Sequence, residues 1–155
     1  MDWITLLLLL HIAGAIIGFG PAFSFAILGP LAGKLGGPQA LGILKGMAKI
    51  EKTLIVPMIV IQPLTGTFLI FKEGLNHGFF EHYWLWLSIL VFAAAVAIAL
   101  IIQNPAVEQL VELAEEGKGG TPEFGATAKR TQTFGPVLTI LLVIIIVLMV
   151  TKPGP

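Results

Sequence analysis

The stretch WITLLLLLHIAGAIIGFGPAFSFAILGPLAG, residues 3–33, runs 31 residues without an Asp, Glu, Lys or Arg. A helix needs about 20 apolar residues to cross a bilayer core of about 30 Å, and this stretch exceeds one crossing. Three more charge-free stretches follow, residues 53–71, 83–107 and 131–151, of 19, 25 and 21 residues. Together they predict an all-α integral membrane protein: a bundle of four transmembrane helices in a single domain, residues 1–155, with spans at about 3–29, 53–72, 83–107 and 131–151.

Composition supports that class. Of 155 residues, 56% are hydrophobic and 12% charged, whereas a soluble domain averages about 25% charged. The short connections leave no room for a separate soluble domain. Net charge is zero, so the basic footprint of a nucleic-acid binder is missing. There is no Cys, which excludes disulfides, iron–sulfur clusters and thiolate zinc sites. The N-terminus opens Met1-Asp2, acidic where a secretory signal is basic, and its apolar run continues past signal length. It reads as a retained span.

Basic residues divide unevenly. Lys34, Lys45, Lys49 and Lys52 lie in the first connection and Lys118, Lys129 and Arg130 in the third. The second connection holds Lys72 and the C-terminal tail Lys152. The positive-inside rule counts Lys and Arg only. It places the first and third connections in the cytoplasm and both termini outside, in a bacterial cytoplasmic (inner) membrane. Cytoplasmic helix extensions are expected at 38–52, where Leu41, Leu44 and Met47 face away from Lys45, Lys49 and Lys52, and at 106–116. Gly36-Gly37-Pro38 should form the turn before the first extension, and Thr121-Pro122 should cap the fourth helix. Pro21, Pro57, Pro63, Pro105 and Pro136 predict kinks.

Two sets of small residues, Gly14/Gly18/Ala22/Ala26 and Ala93/Ala94/Ala95/Ala97/Ala99, predict close helix contact within the bundle or across a homodimer. Gln62, Thr65, Thr67, Ser88 and Thr139 should hydrogen-bond inside the membrane. Trp3, Tyr83, Trp84 and Trp86 should form an outer aromatic belt.

His11 is the one histidine inside a span. An imidazole facing lipid would leave a polar nitrogen unpaired, and an intramembrane ionisable residue is a functional hypothesis by default. Three readings stand side by side: a neutral His hydrogen-bonded to a carbonyl or to Thr, an axial ligand of a b-type haem, or a proton relay or ligand of another kind. His77 and His82 in the outer loop and Met149 at the outer end of the fourth span are the candidate second ligands. A metal enters only through haem iron on His11; no other cofactor is expected. Glu108, Glu112, Glu115 and Glu116 share a helix face without a nearby His and read as a solvated acidic surface. No Walker loop, nucleophile elbow, His-Glu-x-x-His or paired-carboxylate motif appears, which favours a binding or packing role over catalysis.

The segment Leu10-His11-Ile12-Ala13-Gly14-Ala15-Ile16-Ile17-Gly18-Phe19-Gly20-Pro21-Ala22-Phe23 resembles the opening of a bacterial four-span family, domain of unknown function 2269. The early His is also similar to that of copper-resistance D-type proteins and of J-type protoporphyrinogen oxidases. That wider resemblance implies a b-type haem near His11. The chain differs from those relatives at Gly18–Pro21, where they tend to have Trp, and has no Lys or Arg in its fourth span, so oxidase activity is not implied.

Three functions follow as expectations. The first is a small membrane protein binding haem or serving redox chemistry through His11. The second is a non-catalytic accessory subunit of a larger respiratory or photosynthetic membrane complex. The third is a transporter or channel component with Pro57, Gln62 and Pro63 along its pathway. The expected partners are the lipid bilayer and either a second copy or the subunits of such a complex, with no nucleic acid.

Overall fold

One residue, Gly36, separates the first long helix from the second. The computed structural model describes residues 2–154. Helix α1 (Trp3–Leu35) begins at Asp2, whose carboxylate accepts from Thr5 N at 2.7 Å. It ends at Gly36, φ 64°, and Gly37 follows at φ 54°, left-handed backbone that glycine adopts without a Cβ penalty. Pro38 then sits in the first turn of α2 (Gly37–Ile50), where its missing N–H costs nothing.

A π-helical turn (Glu51–Ile55) joins α2 to α3 (Val56–Lys72). Residues 73–82 turn the chain and include a short 3₁₀ segment, Phe79–Glu81. Then α4 (Tyr83–Ile98), a second π turn (Ala99–Gln103) and α5 (Asn104–Glu115) form another continuous rod. Finally α6 (Pro122–Thr151) starts at Thr121, whose hydroxyl accepts from Phe124 N at 3.3 Å. The described residues contain no strand. α1, α2–α3, α4–α5 and α6 are 33, 36, 33 and 30 residues long, and each is apolar enough to cross a membrane.

The outer surface fits lipid. Ile16, Ile27, Leu64, Phe68, Ile101 and Val150 all point outward and exposed, an apolar coat that a water-soluble monomer would not carry. Inside, α1 lies on α3 and α4 on α6. At the Lys-rich end α2 lies on α5, burying Ala40, Leu44 and Leu110 with Ala32. Two ion pairs seam the same contact, Lys45–Glu115 and Lys52–Glu108, each 2.7 Å. Both are roughly half exposed, so water screens them and they add little stability. The acidic face of α5 is therefore partly a docking edge for α2. At the opposite end Trp84, Leu85 and Leu148 form a second buried cluster.

Within the chain, two packing expectations need correction. Gly14 and Gly18 do meet a neighbour closely, but it is α3, through Met58 and Gln62. Farther down, Ala22 and Ala26 on one side and Ala95 and Ala99 on the other face a shared cavity. α1 and α4 are not among the helix pairs in extensive contact. Phe19 and Phe92, ring centroids 6.5 Å apart, stand between them, so small residues leave a void instead of a seam. Likewise Trp84 is not a belt residue: it is 6% exposed in the end cluster, with Lys152 Nζ 5.4 Å over its ring, whereas Trp3 is 65% exposed. Bulk and position at a helix contact put Trp84 in the core.

Candidate functional site

The cavity occupies the half of the bundle nearer the Lys-rich end and measures about 580 Å³, within the size range of small-molecule sites. Its wall is apolar, with Ala22, Phe25, Phe92, Ala95 and Leu142 among the lining side chains, and Glu51 and Gln103 also reach it. An apolar pocket with a few converging polar groups is the usual form of a ligand site.

Two prolines position those polar groups. Pro57 and Pro105 cannot donate, and a proline ring inside a regular helix collides with the carbonyl four residues earlier. In both rods the helix widens just before the proline. Val56 N–H bonds back to Glu51 O, and Asn104 N–H to Ala99 O, each closing a five-residue π turn. Such insertions cluster at functional sites because they re-aim side chains. Here they aim Glu51 and Asn104 at each other. With the Asn104 amide assigned nitrogen-inward, the orientation that satisfies it, Nδ2 donates to Glu51 Oε1 and, at 2.9 Å, to Ala99 O.

Glu51 precedes the charge-free stretch that begins at Thr53, yet it is only 7% exposed. Burial, then the nearby Glu108 carboxylate, pushes its carboxyl up to about 7, with Lys52 opposing. Gln103 leaves Oε1 buried without a hydrogen-bond partner, an arrangement that costs about 1–3 kcal/mol. Its Nε2 lies toward Gly135 of α6.

His11 is held elsewhere. Its Nδ1 lies 2.7 Å from Thr65 Oγ1 on α3, and Gln62 Nε2 donates to His11 O at 3.0 Å. Thr65 Oγ1 also donates to Ile61 O at 2.9 Å. If that proton goes to the helix carbonyl, the hydroxyl accepts from Nδ1–H, which assigns the tautomer with the hydrogen on Nδ1. Gly66 eases the approach, because a Cβ there would stand 3.3 Å from His11 Cε1, a tight contact that would shift the ring by a few tenths of an ångström. Met149 packs instead against the Trp84 cluster, and the His82 ring lies 6.4 Å from that of Trp84. His77 is exposed in the loop. The four expected ligands are thus divided between the α1–α3 contact, the Trp84 end and the loop. No group of three or more His, Cys, Asp or Glu able to hold a metal occurs among the described residues.

Sequence reading missed Glu51, Gln103 and Asn104. The signal was present: Ala40, Leu44, Met47 and Glu51 are spaced 4, 3 and 4 apart and are all buried. That places Glu51 on the apolar face of its helix, off the face of Lys45, Lys49 and Lys52.

A family model described as a predicted integral membrane protein, domain of unknown function 2269, matches residues 5–153. No curated protein and no solved structure matches the chain.

Proposed function

The chain belongs to this family of predicted integral membrane proteins, and we propose that it is an intramembrane binding protein for a lipophilic small molecule, the binding component of a transport or carrier function. The observation that supports this is the cavity of about 580 Å³, walled by all four long helices and apolar except at its Lys-rich end. In this reading that end faces the cytoplasm of a bacterial inner membrane, both termini lie outside, and α2 and α5 extend beyond the bilayer. The Lys and Arg distribution supports that orientation.

The test is photolabelling of the purified protein in lipid nanodiscs with a medium-chain alkyl diazirine alcohol. Label should map to cavity residues such as Ala22, Phe92 and Ala99, over a background on lipid-facing side chains. In the double variant Ala22→Phe/Ala99→Phe the cavity label should vanish while the lipid-facing label persists. Equal labelling of both proteins at the cavity, or label confined to the outer surface of the wild type, would overturn the reading.

A second reading, b-type haem binding through His11, is favoured by one observation. The Thr65 bond engages Nδ1, and Nε2 has no hydrogen-bond partner among the described residues, which is compatible with the arrangement in which a partner orients a metal-binding imidazole. The second axial ligand would be Met149, His77 or His82, or His11 of another copy across a two-fold axis. Reduced and oxidised visible spectra of the wild type beside His11→Ala decide it: a Soret band lost in the variant supports haem, and a flat wild-type spectrum removes it.

A further inference from the structure

The proposed ligand site has a chemical bias at one end. The lining holds one carboxylate, Glu51, and one ammonium, Lys34, with Gln103, Thr131 and Gln132 as its other polar side chains. The Asn104 amide satisfies Glu51 Oε1 only. Glu51 Oε2 has no hydrogen-bond or ion-pair partner among the described residues, because Lys52, next in sequence, is taken by Glu108 at 2.7 Å. Gln103 Oε1 is buried and has no donor. Glu51 Oε2 is therefore an acceptor on the cavity wall with no donor of its own.

Resting on the cavity reading above, the geometry points to a lipophilic amine as the occupant: an alkyl or aryl body among Ala22, Phe92 and Ala95, and an ammonium at the Glu51 carboxylate. An ammonium carries donors only, so it can supply the donor that Glu51 Oε2 lacks. A charge-assisted bond to a carboxylate in a water-poor site is stronger than a neutral one. A neutral alcohol has one proton to offer. A carboxylate would meet Glu51 as a like charge, and only Lys34 at the cavity rim would welcome it. The ammonium can belong to a free amine or to an aminophospholipid headgroup.

The experiment compares three matched medium-chain diazirine probes, a primary amine, an alcohol and a carboxylate, on wild type and Glu51→Gln in phosphatidylcholine nanodiscs. The amine should label the cavity at least about tenfold more efficiently than the alcohol, the step expected of one added charge-assisted bond. Glu51→Gln should erase that preference and leave alcohol labelling unchanged. On the wild type, the amine preference should fall as the buffer is taken from about pH 8 to about pH 5 and the Glu51 carboxylate takes up its proton, with alcohol labelling unchanged, and this stands in should Glu51→Gln fail to fold. Equal wild-type labelling by amine and alcohol overturns the amine assignment while the cavity reading stands. Preference for the carboxylate, or a preference for amine that survives Glu51→Gln, overturns it too. Failure of the alcohol to label the cavity at all removes the cavity reading itself. Competition by phosphatidylethanolamine doped into the disc identifies the headgroup as the amine source, and its absence identifies a free amine.

Discussion

A methyl group added at Gly18 would stand 2.6 Å from Met58 Cβ. That neighbour is the root of a side chain and cannot swing away, so α1 and α3 must part. Overpacking of this kind costs about 1–3 kcal/mol. Gly18→Ala should therefore lower the unfolding midpoint in detergent, while Gly20→Ala, with open space around it, should be neutral or slightly stabilising. Equal midpoints for the two variants would show that the α1–α3 contact does not depend on Gly18. Glu51 gives a second prediction at this scale. Its carboxyl is raised from about 4.5 to about 7, so the folded state holds a proton that the unfolded chain releases earlier. Stability is then greatest below the unfolded value and falls as pH rises through the interval to about 7, by an amount on the order of 3 kcal/mol. The difference between wild type and Glu51→Gln, measured by urea unfolding from pH 4 to 8, should show that slope; parallel curves would mean Glu51 titrates normally.

At the scale of the element, two rods repeat one device: a π turn closed by the residue before a proline, Val56 and Asn104, with both turns opening onto the same cavity. The double variant Pro57→Ala/Pro105→Ala can close regular α turns. Removing one inserted residue rotates what precedes it by about 100°, which would carry Glu51 and Asn104 out of register. The variant should unfold at a higher temperature, since interior proline costs about 3 kcal/mol, and should lose the amine label from the cavity. Retention of the label in a more stable variant would separate the site from the π turns. Much at this scale was legible beforehand. The turn at Gly36–Pro38, the Thr121 cap and the four apolar stretches are local chemistry, and local chemistry is written in neighbouring residues. The π turns were not, because a proline in an apolar run is equally compatible with a kink, and the choice here involves Asn104 meeting a carboxylate on another helix. The small-residue stripes misled for a related reason: whether alanines close a gap or line one depends on the bulky side chains beside them, here Phe19 and Phe92. For His11, sequence placed the residue inside the bundle but could not choose Thr65 as its partner, 54 positions away.

At the scale of the molecule the two ends of the bundle differ in kind. One gathers Lys34, Lys45, Lys49, Lys52, Lys118, Lys129 and Arg130 around the α2–α5 seam, and the other holds the Trp84 cluster under Lys152. A bilayer with a negative cytoplasmic surface reads such a difference as orientation, because each basic residue near that surface contributes about 1 kcal/mol. If the Lys-rich end is cytoplasmic, Glu51 lies at the inner mouth of the cavity, and an amine held there would meet the cytoplasmic proton concentration. The orientation can be read directly because the chain has no Cys, so any introduced thiol is the single reporter. Gly119 and His77 are exposed in connections at opposite ends, and a Cβ at Gly119 meets nothing within 4 Å. In intact cells a membrane-impermeant maleimide should label His77→Cys but not Gly119→Cys, and permeabilisation should reveal Gly119→Cys. The reverse pattern would turn the molecule over and place the mouth at Glu51 outside. Labelling of both in intact cells would mean that the chain inserts in two orientations.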